Sequence, residues 1–317
     1  MEQKEIGGYF ALELQERSEY HEKAIPLYNS RSALQYILRA KKYRKIYLPH
    51  YICGCVLQPV IAEGVEYEWY NINDNFFPLF DKKIADDECF LYVNYFGLND
   101  KNVHALSKEC PNLIIDNTQS FYSHPEKGVD TIYSARKFFG VPDGGYLYTD
   151  VELNEPIEKS ISYLSMGPLL KRIEFSANHA YEEYCNNERV MDNQGIKSMS
   201  NLTHKILRSI DYESVRRKRR DNFTYIHEML KETNNYSIPD LANQVPMLYP
   251  YLCNNNGIRE KLISEKIYTP TFWRDVLEHL SSSNTHEENY INNMLPLPID
   301  QRYNHDDMNR ISSIIKN

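Results

Sequence analysis

The sequence predicts an α/β protein with a mainly parallel sheet. Three observations carry this. Short apolar runs recur between residues 45 and 148, helical stretches lie between several of them, and past about residue 155 longer helical patterns take over. Strands alternating with helices imply parallel pairing, because each crossover helix returns the chain to the same end of the sheet. The 317 residues, 42% hydrophobic and 25% charged, suffice for a sizeable core in one large domain plus a smaller one.

The first element is a helix. Apolar residues at 33, 34, 37 and 38 form one stripe, and Asn29-Ser30-Arg31-Ser32 reads as its N-cap. Such a start offers backbone N–H groups to a phosphate; a plain cap accounts for the same residues. Strands are expected at Lys45–Leu48, Val65–Tyr70, Cys89–Val93, Leu113–Ile115, Thr131–Tyr133 and Tyr146–Tyr148, with helices at Gly54–Ala62 and Val103–Glu109. Later, Asp211–Glu232 carries Val215, Phe223, Ile226 and Leu230 around Arg216-Arg217-Lys218-Arg219-Arg220. In an acidic chain these five basic residues fit a solvated helix face with one arginine inside better than a nuclear-import or RNA signal. Ser281–Thr285 is expected as an exposed loop, and Asn304 or Asp306 as the cap of a last helix.

Composition excludes several classes. A net charge of -8 and a pI of about 5.7 argue against a nucleic-acid partner. Met1–Glu5 opens no apolar segment, so no signal peptide is expected, and no run of about 18 apolar residues implies a membrane span. Six cysteines at 53, 55, 89, 110, 185 and 253 then read as free thiols of a cytoplasmic protein. Cys53-Gly54-Cys55 lies near His50, but no second Cys/His pair has the spacing of a structural zinc site, so no metal is expected. No Walker loop and no metalloprotease helix motif is present.

The residues that carry chemistry follow one pattern. Leu113-Ile114-Ile115 ends on Asp116, with Gln119 three residues later. Thr131-Ile132-Tyr133 leads into Ser134 and then Lys137, followed by Phe138-Phe139-Gly140-Val141-Pro142-Asp143-Gly144-Gly145 and another strand. This order of strand-Asp-x-x-Gln, strand-Ser-x-x-Lys, glycine loop and strand resembles the pyridoxal 5'-phosphate (PLP) site of fold type I aminotransferases. It looks most like the DegT/StrS-type sugar aminotransferases. Further resemblance lies at Lys266–Trp273, similar to a family strand that brings a late loop toward the substrate, and at Leu295–Ile311, similar to the closing strand and capped helix.

The resemblance implies a three-layer α/β/α large domain, residues 1–190, and a smaller C-terminal α+β domain with connecting helices, residues 191–317. It implies PLP as cofactor, held by Lys137 as an internal aldimine, with Asp116 on the pyridinium nitrogen and Gln119 on the phenolic oxygen. Ser134 would reach the phosphate. Ser30 and Arg31 stand where the family has a Ser-Gly-Thr-like phosphate turn. Tyr51 stands where one face of the cofactor is covered, although packing under the loop explains it equally. Lys197 lies in the segment that reaches the partner subunit's cofactor in a homodimer. The implied reaction moves an amino group from Glu or Gln to a keto-sugar, nucleotide-linked, as in polysaccharide biosynthesis. Two departures keep an alternative open, a relative that binds PLP or another ligand without transamination. The chain is short with an early lysine, and Ser134 is closer to that lysine than the family serine. A dehydratase on this fold would replace Lys137 with histidine.

Overall fold

A computed structural model describes residues 6–254, 257–280 and 285–317, so Met1–Glu5 and the Ser281–Asn284 part of the expected loop lie outside the described residues. In chain order the first part comprises β1 (Ile25–Leu27), α1 (Ser30–Lys41), β2 (Lys45–Pro49), α2 (Leu57–Ala62), β3 (Glu66–Ile72), β4 (Pro78–Leu79), β5 (Glu88–Val93), α3 (Asp100–Glu109), β6 (Leu113–Asn117), β7 (Asp130–Ser134) and β8 (Gly145–Tyr148). Each strand and helix expected up to residue 148 is there, with ends shifted by up to a few residues. The run 54–62 divides into a 3₁₀ turn, Gly54–Val56, and α2.

These strands belong to a ten-stranded sheet of order β4-β3-β2-β5-β6-β7-β8-β1, extended by β10 (Lys197–Ser198) and β9 (Glu158–Lys159). The five strands from β3 to β7 are parallel; β8 and β1 run antiparallel to their neighbours. All six residues of β5 are buried. That is the reason for an unbroken apolar run there: a central parallel strand is covered on both faces. Asp116 pairs with Val93 on one side and Ile132 on the other, so the acid, Asn94 and Ser134 share the carboxyl edge of the sheet. In open α/β sheets this edge is where ligands bind.

Beyond the sheet the chain turns helical: α4 (Gly167–Glu174), α5 (Ala177–Val190), α6 (Asn201–Leu207) and α7 (Tyr212–Leu230). A small antiparallel sheet of β11 (Tyr249–Leu252) and β12 (Met294–Leu297) follows, with α8 (Ile258–Ser264), α9 (His286–Asn293) and α10 (His305–Lys316). Asn304 caps α10, accepting from the backbone of Asp306 and Asp307, while Asp307 accepts from the Asn304 N–H in a capping box. The basic run divides as its sequence suggests. Arg219 is 2% exposed, and Arg216, Arg217, Lys218 and Arg220 are not buried.

One expectation fails. Lys266–Trp273 is not a strand. Pro270 has no N–H to give a ladder, Trp273 turns left-handed at φ 56°, and Arg259 takes the carbonyls of Thr269 and Pro270. Among the described residues no helix is long and apolar enough to cross a membrane, and no group of three His, Cys, Asp or Glu side chains could hold a metal ion.

Candidate active site

The site is built where β2, β6 and β7 end. The strand β7 stops at Ser134, and Ala135–Lys137 form a 3₁₀ turn closed by the Phe138 N–H on the Ala135 carbonyl at 3.0 Å. This turn lifts Lys137 out of the sheet, and its side chain is exposed. Among the described residues Lys137 makes no ion pair; its charge acts on Asp116, Cys53 and Cys55.

Asp116 sits at the end of β6. Its Oδ1 accepts from the Thr118 N–H at 2.8 Å. Burial nevertheless raises its pKa above the ordinary carboxylate value, against the lowering effect of Thr118 and Lys137. A desolvated acid of this kind favours a cationic partner. Gln119 is 4% exposed, and its side-chain oxygen accepts from the Phe96 N–H at 2.8 Å, which leaves its amide N–H₂ as a donor.

The glycine loop joins this turn to α1. Gly144 at φ 123° donates its N–H to the Tyr28 carbonyl at 2.6 Å and accepts from the Ala135 N–H at 3.1 Å. Gly145 lies so close to Asn29 that a Cβ there would be 2.5 Å from its carbonyl carbon. The start of α1 is thereby fixed beside the lysine turn. Asn29 caps the helix on the Ser32 N–H at 2.9 Å. Ser30 opens the first turn, partly exposed. Ser134 is 5% exposed on the neighbouring strand end.

Three further candidates are engaged elsewhere. Arg31 Nη1 lies 2.7 Å from Asp192 Oδ1 and 3.2 Å from Gln58 Oε1. Tyr51 is 1% exposed and packs with Tyr95, Trp273 and Tyr290, which matches packing under the loop. Lys197, in β10, accepts from the Tyr28 N–H through its carbonyl, and its Nζ donates to Gln194 at 3.0 Å.

Sequence reasoning missed four supporting groups. Asn94, fully buried, donates to Asp100, Asn117 and Ser120 and fixes the loop after β6. Its place directly after the β5 run was the available signal. Asp143 is fully buried and accepts from Ser200 and Thr203, tying the glycine loop to the start of α6. Gln301 donates to the Phe138 carbonyl at 2.8 Å, and Arg219 stacks its guanidinium 4.5 Å over the Phe138 ring. No local pattern marks Gln301.

Comparison with known proteins bears on the fold. No family model and no curated protein matches this sequence. Solved structures do match. Sugar aminotransferase CalS13 from Micromonospora echinospora is 12% identical with a TM-score of 0.63, covering 93% of this chain and 87% of that one. Aminotransferase TlmJ from Streptoalloteichus hindustanus is 14% identical with a TM-score of 0.65, covering 92% and 84%. The putative sugar aminotransferase Spr1654 from Streptococcus pneumoniae, in its PLP form, is 12% identical with a TM-score of 0.63, covering 92% and 86%. The chain has the fold of these aminotransferases. That is the fold type I arrangement expected from the lysine pattern, across almost the whole chain.

Proposed function

We propose that this protein is a PLP-dependent aminotransferase acting on a keto-sugar, nucleotide-linked, with Glu or Gln as amino donor. One observation carries the reading: on an aminotransferase fold, Lys137 and the desolvated, part-buried Asp116 stand at the carboxyl ends of neighbouring parallel strands, electrostatically coupled, and the lysine makes no ion pair among the described residues. The donor set fits PLP at both ends of its ring, an amine for the aldehyde carbon and an acid for the ring nitrogen. When bound, PLP supplies an electron sink.

The chain's residues then divide the work. Lys137 would hold the cofactor through its Nζ and, with the cofactor bound, would be the group placed to take up and return a proton. Asp116 would face the ring nitrogen, where a positive charge would offset the desolvation of the carboxylate. Gln119 would offer its free amide N–H to the phenolic oxygen. Ser30, Ser134 and the first N–H groups of α1 would hold the phosphate, helped by the positive end of the helix.

The reading includes a cytoplasmic homodimer, with 1–190 binding the cofactor and 191–317 as the smaller part. Lys197 would complete the partner's phosphate cup. Exposed Leu164, Leu170, Ile173, Phe175 and Tyr181 on and around α4 and α5 supply apolar surface for such an interface. The test of the central claim is covalent. After incubation with PLP, borohydride reduction and proteolysis, mass spectrometry is expected to find a pyridoxyl group on the Lys137 peptide. A pyridoxyl group on a different lysine, or none, overturns it.

The Arg31–Asp192 pair favours a second reading, a relative that keeps the fold without gripping the phosphate. That reading predicts capture at Lys137 with no conversion of glutamate to 2-oxoglutarate when keto-sugars are supplied.

A further inference from the structure

Cys53 and Cys55 stand just past the carboxyl end of β2, at the 3₁₀ turn that leads into α2. Cys53 has extended backbone, φ -64° and ψ 125°, and Cys55 lies inside the turn. This change of direction brings their Sγ atoms to 2.8 Å. Both side chains are partly exposed. Gly54 between them lets the Asp275 carboxylate settle where a Cβ would stand, so the loop is covered from the C-terminal part of the chain. Lys137 and Arg31 place positive charge beside the pair. By contrast, Cys89 and Cys253 are buried, and burial pushes the Cys110 thiol up to about 12.

We infer that Cys53 and Cys55 form an oxidisable dithiol, a modification site whose reagent is a low-molecular-weight disulfide such as oxidised glutathione. Cys53 is the attacking thiol. The hydrogen bond with Cys55 and the charge of Lys137 hold its pKa down to about 7, whereas the same hydrogen bond raises Cys55. The Cys53 thiolate attacks one sulfur of the reagent; its S–S bond breaks, and one glutathione leaves as thiolate. Cys55 then loses its proton and attacks Cys53 Sγ, displacing the second glutathione. Two protein thiols are oxidised to one disulfide while one reagent disulfide is reduced to two thiols. Closure removes a thiolate from beside Lys137, so the oxidation state of the pair sets the electrostatics of that amine. The inference does not rest on the aminotransferase reading.

The test uses the full-length protein equilibrated in oxidised and reduced glutathione, quenched in acid, alkylated and mapped by mass spectrometry. A synthetic peptide of residues 49–58 serves as reference. The 53–55 disulfide is expected to form at ratios at least about tenfold more reducing than the peptide needs, because folding holds the sulfurs together. Cys89, Cys110 and Cys253 are expected to stay alkylatable after unfolding. Equal or weaker closure than in the peptide overturns the proposal. In a Cys55→Ser variant the mixed disulfide should persist on Cys53. A Cys55→Ser chain that takes up no glutathione refutes Cys53 as the attacking thiol.

Discussion

Lys137 and Arg31 are two cations flanking the same glycine loop, yet they are held in opposite ways. Arg31, in the first turn of α1, is bound by Asp192 and Gln58 above a cavity of about 160 Å³ lined by Gln35, Met191 and Gly195. Lys137 is exposed and, among the described residues, makes no ion pair, while its field reaches Asp116 and Cys53. The difference separates scaffolding from chemistry. A cation matched by a nearby carboxylate fixes an element in place; a cation left unmatched beside a desolvated acid is available to a ligand.

The comparison can be broken at several points. Lys137→Ala is expected to abolish borohydride-fixed PLP completely; persistence of the adduct would remove Lys137 from the chemical side of the contrast. Asp116→Asn should still bind PLP but lose turnover on the order of a hundredfold or more, as when a preorganised charge partner is removed. Near-normal turnover would make Asp116 structural. Gly145→Ala drives a Cβ against Asn29 and displaces α1 from the loop. A loss of about 1–3 kcal/mol in urea unfolding is expected from such overpacking, and an unchanged midpoint would show that the two cations are not joined through this loop. Asp192→Asn is the mildest change. The pair is part-exposed, so stability should fall by about 1 kcal/mol or less. PLP affinity should rise as Arg31 is released toward the phosphate; unchanged affinity would confine Arg31 to scaffolding.

Legibility in the sequence follows the range of the interaction. The strands β2, β3 and β5 to β8 and the helices α1, α3 and α7 were readable because apolar periodicity and caps are local. The placement of Asp116, Ser134 and Lys137 at one sheet edge was readable because each stands at or just past the end of an expected strand. The antiparallel β1 was not: three residues carry no period, and the strand exists only because Leu27 pairs with Gly145 and Ser198. The Asp192 partner of Arg31 lies 161 positions away, and Asp143's grip on Thr203 spans 60. Nothing local announces such pairs. Residues 266–273 went wrong for the opposite reason. Their resemblance to a family strand suggested one here, while Pro270 and the carbonyl contacts of Arg259 made a loop.

The hold on Phe138 has a consequence for how the protein is made. The carbonyl next to the site lysine is gripped by Gln301, near the end of the chain, and by Arg219. On a ribosome, residues 130–148 emerge well before either. Glu19 likewise waits for His204. The lysine turn therefore cannot take its final hydrogen bonds until Arg219 and Gln301 have been made. Stalled chains ending before Gln301 should therefore show no borohydride-fixed PLP, whereas released full-length chains should; capture by the shorter chains would show that the amino-terminal part sets its own lysine.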